Sequence, residues 1–324
     1  IMRELTATGI SIVYISHRLE ELMRIGDFVT IFRDGKLVAD AAVKDIDVPW
    51  IVKQMVGEGK SYPKRDVAVD WDKQENVLEV KNLSLPKNGG GYLLNNVSFN
   101  LKKGEILGIY GLLGAGRTEI FECIMGMRPN HTGDIILNGK KIEIQSVADQ
   151  IDKGFAWLPE DRQREGLVQT MSIAKNIALS NIGKYTNPLG LIDKSKEDAA
   201  EAEMIKDVHI KVADKDLPIL SLSGGNQQKV VFAKGALTNP QIMLLDEPSR
   251  GIDIGAKTEI FHLIYQYAKR GVSLLVISSE LEEIIAIADR ILVLSNGIKT
   301  AELTGDDITQ DNLVKASYMG HKAN

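Results

Sequence analysis

Apolar residues gather in short solid runs separated by polar or glycine-rich punctuation. Gly104–Tyr110, Gly154–Ala156, Gln241–Leu245 and Gly271–Ile277 each lack the period-two alternation of a half-exposed strand. They read as strands buried on both faces. Between them lie longer stretches with helical spacing, at about 117–126 and across a charged region at about 172–210. From residue 222 onward helices and buried strands alternate, which predicts an α/β fold. Residues 76–110 read as strands interrupted by the turn Asn88-Gly89-Gly90-Gly91.

The pattern also repeats itself. Gly9-Ile10-Ser11-Ile12-Val13-Tyr14-Ile15-Ser16-His17-Arg18-Leu19-Glu20-Glu21 lies over Gly271-Val272-Ser273-Leu274-Leu275-Val276-Ile277-Ser278-Ser279-Glu280-Leu281-Glu282-Glu283. The register runs on ungapped through Ile25/Ile287, Asp27/Asp289 and Gly35/Gly297, at a constant offset of 279 − 17 = 262. Each copy predicts a buried strand, a short loop, an amphipathic helix and another strand that closes at a Gly turn. A repeat of this length marks duplicated domains. The second unit starts near Asn76, so the first would start near −185, and residues 1–58 are expected to be the C-terminal remnant of a first domain. Residues 59–75, polar with Gly and Pro, read as a linker, and 76–324 as the second domain.

Composition narrows the partners. The net charge of −5 argues against a sequence-independent nucleic-acid footprint, so no nucleic-acid partner is expected. The single Cys123 excludes an intrachain disulfide and reads as a packed core thiol. No apolar run approaches the 18 residues of a membrane span, so any membrane role is expected to come through a separate partner.

Three segments carry chemistry. The strand Gly104–Tyr110 runs into Gly111-Leu112-Leu113-Gly114-Ala115-Gly116-Arg117-Thr118-Glu119, a match to the phosphate-loop template G-x-x-x-x-G-K-[ST] except that Arg117 stands at the Lys position. Its glycines let backbone N–H groups converge on phosphate, and Thr118 is placed to ligate Mg²⁺. Arg is a planar fork and does not replace a point ammonium inside a tight loop. Further on, Leu222-Ser223-Gly224-Gly225-Asn226-Gln227-Gln228 puts a hydroxyl and bare N–H groups at a helix N-terminus, a natural phosphate site. Last, Leu244-Leu245-Asp246-Glu247-Pro248 ends a buried strand in two acids. Asp246 is expected to hold Mg²⁺ and Glu247 to orient an attacking water.

Taken together these segments resemble an ATP-binding-cassette ATPase. The resemblance implies an α/β P-loop NTPase fold with a mixed sheet and a helical signature subdomain, binding ATP and Mg²⁺. It implies a head-to-tail pair of cassettes, each ATP held between one domain's phosphate loop and the other's signature. Gly111, Gly114, Ala115, Gly116, Arg117, Thr118, Glu119, Glu160, Asp246, Glu247 and Ser279 then belong to the second domain's own pocket. Ser223, Gly224 and Gly225 complete the pocket of the first domain, the expected upstream cassette partner. Glu160 falls where the family generally has a γ-phosphate-sensing Gln, and His17 where it has a switch histidine. The second copy has Ser279 there, and Asp253 resembles the loop that crosses between the two sites. Tyr92 is an aromatic near the adenine region, at too short a spacing.

The details GLLGAGRTE, LSGGNQQKV and DEPSRGIDIGAK resemble the energising subunits of bacterial monosaccharide importers. That family implies a membrane-permease homodimer, an extracytoplasmic sugar-binding protein, and a peripheral place on the cytoplasmic face of the plasma membrane. The His17/Ser279 asymmetry implies one hydrolytic site and one that mainly binds nucleotide, with little ATPase activity in these 324 residues alone. Two alternatives stay open: a soluble twin-cassette ATPase of translation or repair, and a regulatory nucleotide-binding module.

Overall fold

A computed structural model describes residues 1–16, 19–33, 35–56 and 69–320. They form two compact units, Ile1–Tyr62 with Ile252–Glu259, and Pro63–Gly251 with Ile260–Asn324.

The smaller unit contains α1 (Met2–Ala7), α2 (Leu19–Ile25), the strands β1 (Phe28–Arg33) and β2 (Lys36–Ala42), and α3 (Val48–Val56). The two strands pair antiparallel, and Leu19, Val29, Ile31, Val43 and Ile51 make its core. The repeat predicts a buried strand over 10–15, and the structure corrects this. No strand forms there, and Val13 and Ile15 are each 94% exposed. Its counterpart in the second copy is flanked on both edges, Leu274 facing Ile106 on one side and Met243 on the other. No strand among the described residues pairs with residues 10–15. A parallel strand without neighbours has nothing to satisfy its backbone groups.

The larger unit is built from β3 (Asn76–Pro86), β4 (Tyr92–Lys102), β5 (Ile106–Gly111), α4 (Arg117–Ile124), β6 (Thr132–Leu137), β7 (Lys140–Lys141), α5 (Val147–Asp152) and β8 (Phe155–Leu158). It continues with α6 (Ile173–Ala178), α7 (Lys194–Asp207), α8 (Gly224–Ala236), β9 (Ile242–Asp246), α9 (Ile254–Lys269), β10 (Ser273–Ile277), α10 (Leu281–Ile287), β11 (Arg290–Ser295), β12 (Ile298–Thr304) and α11 (Gln310–Met319). The first part of α9 is grouped with the smaller unit.

Its main sheet has the order β12-β11-β5-β10-β9-β8, parallel except for the edge strand β12. Every residue of β5, β9, β10 and β11 is buried, which is why these runs are apolar without alternation. A second, antiparallel sheet, β4-β3-β6-β7, shares a core with it through Leu78, Leu94, Phe121 and Leu244. The charged region at 172–210 forms α6, a 3-10 stretch Leu179–Tyr185 and α7, and α6 packs on α7 and α8. Cys123 is fully buried, as expected of a core thiol. Most of the predicted linker lies outside the described residues, and Trp71–Lys73 is one 3-10 turn.

Parallel alignment puts the C-terminal ends of β5, β9 and β10 side by side, with Asp246 opposite Ile277 and Ile277 opposite Ile109. In open α/β sheets ligands bind outside these strand ends.

Candidate nucleotide site

The loop from Gly111 to Gly116 leaves β5 and enters α4. Gly116 has φ +97°, and a Cβ there would stand 2.7 Å from the Leu94 side chain and 2.9 Å from the Leu93 carbonyl. Only glycine fits this left-handed, crowded position. At Gly111 a Cβ would stand 2.5 Å from the Leu294 carbonyl. Ala115 is buried, Gly114 is open to solvent, and Glu119 is half-buried in the first turn of α4.

Five side chains, from the first turn of α4 and the ends of β9 and β10, interlock around this loop. The Thr118 hydroxyl donates to Asp246 Oδ2 at 2.8 Å. Asp246 is 1% exposed, and its Oδ1 has no hydrogen-bond partner. Burial pushes the Asp246 carboxyl up to about 6, partly offset by the Thr118 hydrogen bond, and neighbouring Glu247 raises it further. A buried carboxylate oxygen left without a donor is a costly state that a cation or its bound water would relieve.

Glu247 is 7% exposed and has φ +47°, a strained conformation for a non-glycine residue of the kind that clusters at functional sites. Both of its oxygens are engaged. Arg117 Nη1 donates to Oε1 at 3.2 Å, while Ser279 donates to Oε2 from its backbone N at 3.0 Å and its hydroxyl at 3.1 Å. The Arg that stands at the template's Lys position thus lies along the acidic residue. Next to it, Ser249 and Ser278 donate to buried Glu283 at 2.5 and 3.0 Å, tying the turn after β9 to α10.

The other sequence-predicted residues lie apart from this knot. Glu160, exposed, forms an ion pair with Arg250. Ser223 precedes α8, whose first turn holds half-buried Gly224 and buried Gly225, and its hydroxyl accepts from Asn226 Nδ2 at 3.1 Å. Asp253 caps α9, its Oδ1 accepting from Ala256 N at 3.0 Å. Tyr92 is exposed at the start of β4, across from Pro86. His17 lies outside the described residues. Sequence reasoning gave no individual role to Arg162, Gln163, Gln227, Ser249 or Glu283, although Gln227 stands in the signature run. Arg162 and Gln163 sit in a charged loop that looks solvated, and no spacing rule marks the others.

A model of the ABC transporter family matches residues 94–250. The chain is 43% identical over 323 residues to the ribose import ATP-binding protein RbsA of Oceanobacillus iheyensis, covering 99% of this chain and 63% of that protein. It is 40% identical over 318 residues to the xylose import ATP-binding protein XylG of Photobacterium profundum, covering 97% of this chain and 62% of that protein. The chain therefore spans somewhat under two thirds of the length of these relatives. Among solved structures, it is similar to a nucleotide-free ATP-binding cassette from an ABC transporter, with TM-score 0.64 and 22% identity over 74% of this chain and 96% of that one. It is also similar to the ADP conformation of MJ1267, an ATP-binding cassette of an ABC transporter, with TM-score 0.65 and 21% identity over 76% and 99%. The fold, the phosphate loop and these likenesses agree: the chain carries an ABC transporter ATP-binding domain and belongs to the ATP-binding-cassette family.

Proposed function

We propose that this chain is part of the ATP-hydrolysing, energy-coupling subunit of a monosaccharide ABC importer. The observation that carries the reading is the likeness, over 99% of this chain, to a protein named for ribose import. Its partners would be a membrane-permease homodimer and, through the assembled complex, an extracytoplasmic sugar-binding protein. It would sit peripherally on the cytoplasmic face of the membrane. No helix among the described residues is long and apolar enough to cross a membrane.

The second pocket would bind Mg²⁺-ATP, with backbone N–H groups of 111–118 on the phosphates. Thr118 and Asp246 would hold the Mg²⁺, which neutralises phosphate charge, and the orphaned Asp246 Oδ1 fits that task. Glu247 would be a poor water-orienting base here. Its two oxygens already accept from Arg117 and Ser279, and no imidazole stands at residue 279. The second pocket therefore mainly binds nucleotide, while Ser223, Gly224 and Gly225 serve the hydrolytic pocket of a first cassette whose switch histidine is His17. Asp253 belongs to the connection between the two. Residues 1–58 are the end of that first cassette, 59–75 a linker and 76–324 the second cassette.

The test is reconstitution of the full-length protein with its permease in vesicles. ATP hydrolysis stimulated by a monosaccharide and its binding protein supports the reading. Co-sedimentation with ribosomes and no response to permease would replace it with the soluble twin-cassette alternative. Stoichiometric ATP binding without turnover would replace it with a regulatory module.

A further inference from the structure

Residues Arg162–Gly166 form a single π-helical turn, capped by Asp161, whose Oδ1 accepts from Gln163 N at 3.0 Å and Arg164 N at 3.2 Å. π-Helical turns are rare, and this one stands in the connection between β8 and α6. Two adjacent side chains of this turn reach different segments. Arg162 donates from Nη1 to the Arg250 carbonyl at 2.7 Å and from Nη2 to the Gly251 carbonyl at 3.1 Å. Its Nε is buried without a partner, so two neutral backbone oxygens are the acceptors given to this cation. Glu160 adds an ion pair to the Arg250 side chain, pinning the same turn three residues beyond Glu247.

Gln163 faces the signature. Its Nε2 donates to Gln227 Oε1 at 2.6 Å, and Gln227 Nε2 donates to the Leu222 carbonyl at 3.2 Å. Leu222 immediately precedes Ser223. Gln227 is 6% exposed, so its amide has little water to fall back on. Gln169 donates to the Gln163 carbonyl at 2.9 Å and to its Oε1 at 2.7 Å, which fixes the orientation of that side chain. A continuous set of hydrogen bonds thus runs from the signature, through one π turn, to the loop after the acidic pair.

We propose that Arg162 and Gln163 are positioning residues that link the signature start to the loop after Glu247, so that the two nucleotide sites change state together. This rests on the reading above, in which the signature and the acidic pair serve different ATP molecules. A chain of contacts is not by itself coupling, so the test must read cooperativity.

In the full-length protein reconstituted with its permease, ATP hydrolysis is measured against ATP concentration for wild type, Arg162→Gln, Gln163→Leu, the double variant and Arg162→Lys. The expected wild-type Hill coefficient lies clearly above 1, toward the limit of about 2 for two sites. Each single variant brings it to about 1, and the double variant does no further harm, because both cut one serial link. Arg162→Lys, which keeps a cation but not the fork, gives an intermediate value. Half-saturating ATP within about twofold of wild type and an unchanged melting temperature separate lost coupling from lost folding. Cooperativity retained in either single variant overturns the proposal, as does a non-cooperative wild type or a loss that tracks melting. A wild type with no ATP turnover overturns the functional reading instead.

Discussion

Asp246→Asn is the substitution that most directly probes the cost of keeping a bare carboxylate at the end of β9. Burial lifts the Asp246 carboxyl from its ordinary 3.8 to about 6. At 1.36 kcal/mol per pH unit, ionising it inside the fold costs about 3 kcal/mol. Because the folded value is raised, the penalty is absent below pH 3.8, grows between 3.8 and 6, and is complete above 6. The amide keeps an oxygen to accept from Thr118 but places an N–H group where Oδ1 has no partner. That unmatched donor returns about 1–3 kcal/mol of cost. The net expectation at pH 7.5 is a ligand-free chain at least as stable as wild type, by up to about 2 kcal/mol, and no advantage at pH 4.5. Mg²⁺ favours the ionised form, so wild type gains Mg²⁺-ATP-dependent stabilisation that weakens as pH falls through about 6. Asp246→Asn gains almost none. Thermal unfolding followed by fluorescence at the two pH values, with and without Mg²⁺-ATP, reads all of this. A ligand-free variant less stable than wild type by more than about 1 kcal/mol at pH 7.5, or one that keeps its Mg²⁺ response, refutes the reasoning.

Burial pushes the Cys123 thiol up to about 12, so a maleimide should label the native chain hardly at all and the urea-unfolded chain fully. Arg290 holds buried Glu105 through Nε at 2.8 Å and Nη2 at 2.9 Å, and Arg290→Met strands that carboxylate. A loss of about 3–5 kcal/mol in denaturant unfolding is expected, whereas replacing both partners with apolar residues loses much less. Gly116→Ala forces a Cβ against the Leu93 carbonyl at positive φ and should lower stability by about 1–3 kcal/mol, with weaker ATP binding by equilibrium fluorescence.

How much was legible follows from which interactions are local. The solid apolar runs at 106–110, 242–245 and 274–277 announce central parallel strands, since burial on both faces leaves no room for alternation. Gly111–Thr118 was readable because a tight loop against strand backbone admits few residue types. The strand expected over 10–15 failed for the converse reason: a central strand is a property of its neighbours, and its own residues cannot supply them. Arg117 was recognised as a departure at the Lys position, but its partner Glu247 lies 130 residues away and no spacing predicts that ion pair. The same holds for Glu283 with Ser249 and for the bonds of Arg162 to backbone carbonyls. Side chains that bind main chain leave no complementary residue for a sequence to display.

The central claim is that the signature and the acidic pair serve different ATP molecules, only one of which is hydrolysed. It is tested by steady-state ATP turnover of the full-length protein carrying either Gly225→Asp or Glu247→Gln. Gly225→Asp puts a negative charge at the N-terminus of α8, where phosphate is expected, and should abolish turnover. Glu247→Gln alters a carboxylate already held by Arg117 and Ser279 and should leave most of it. Equal losses from the two substitutions would contradict the account.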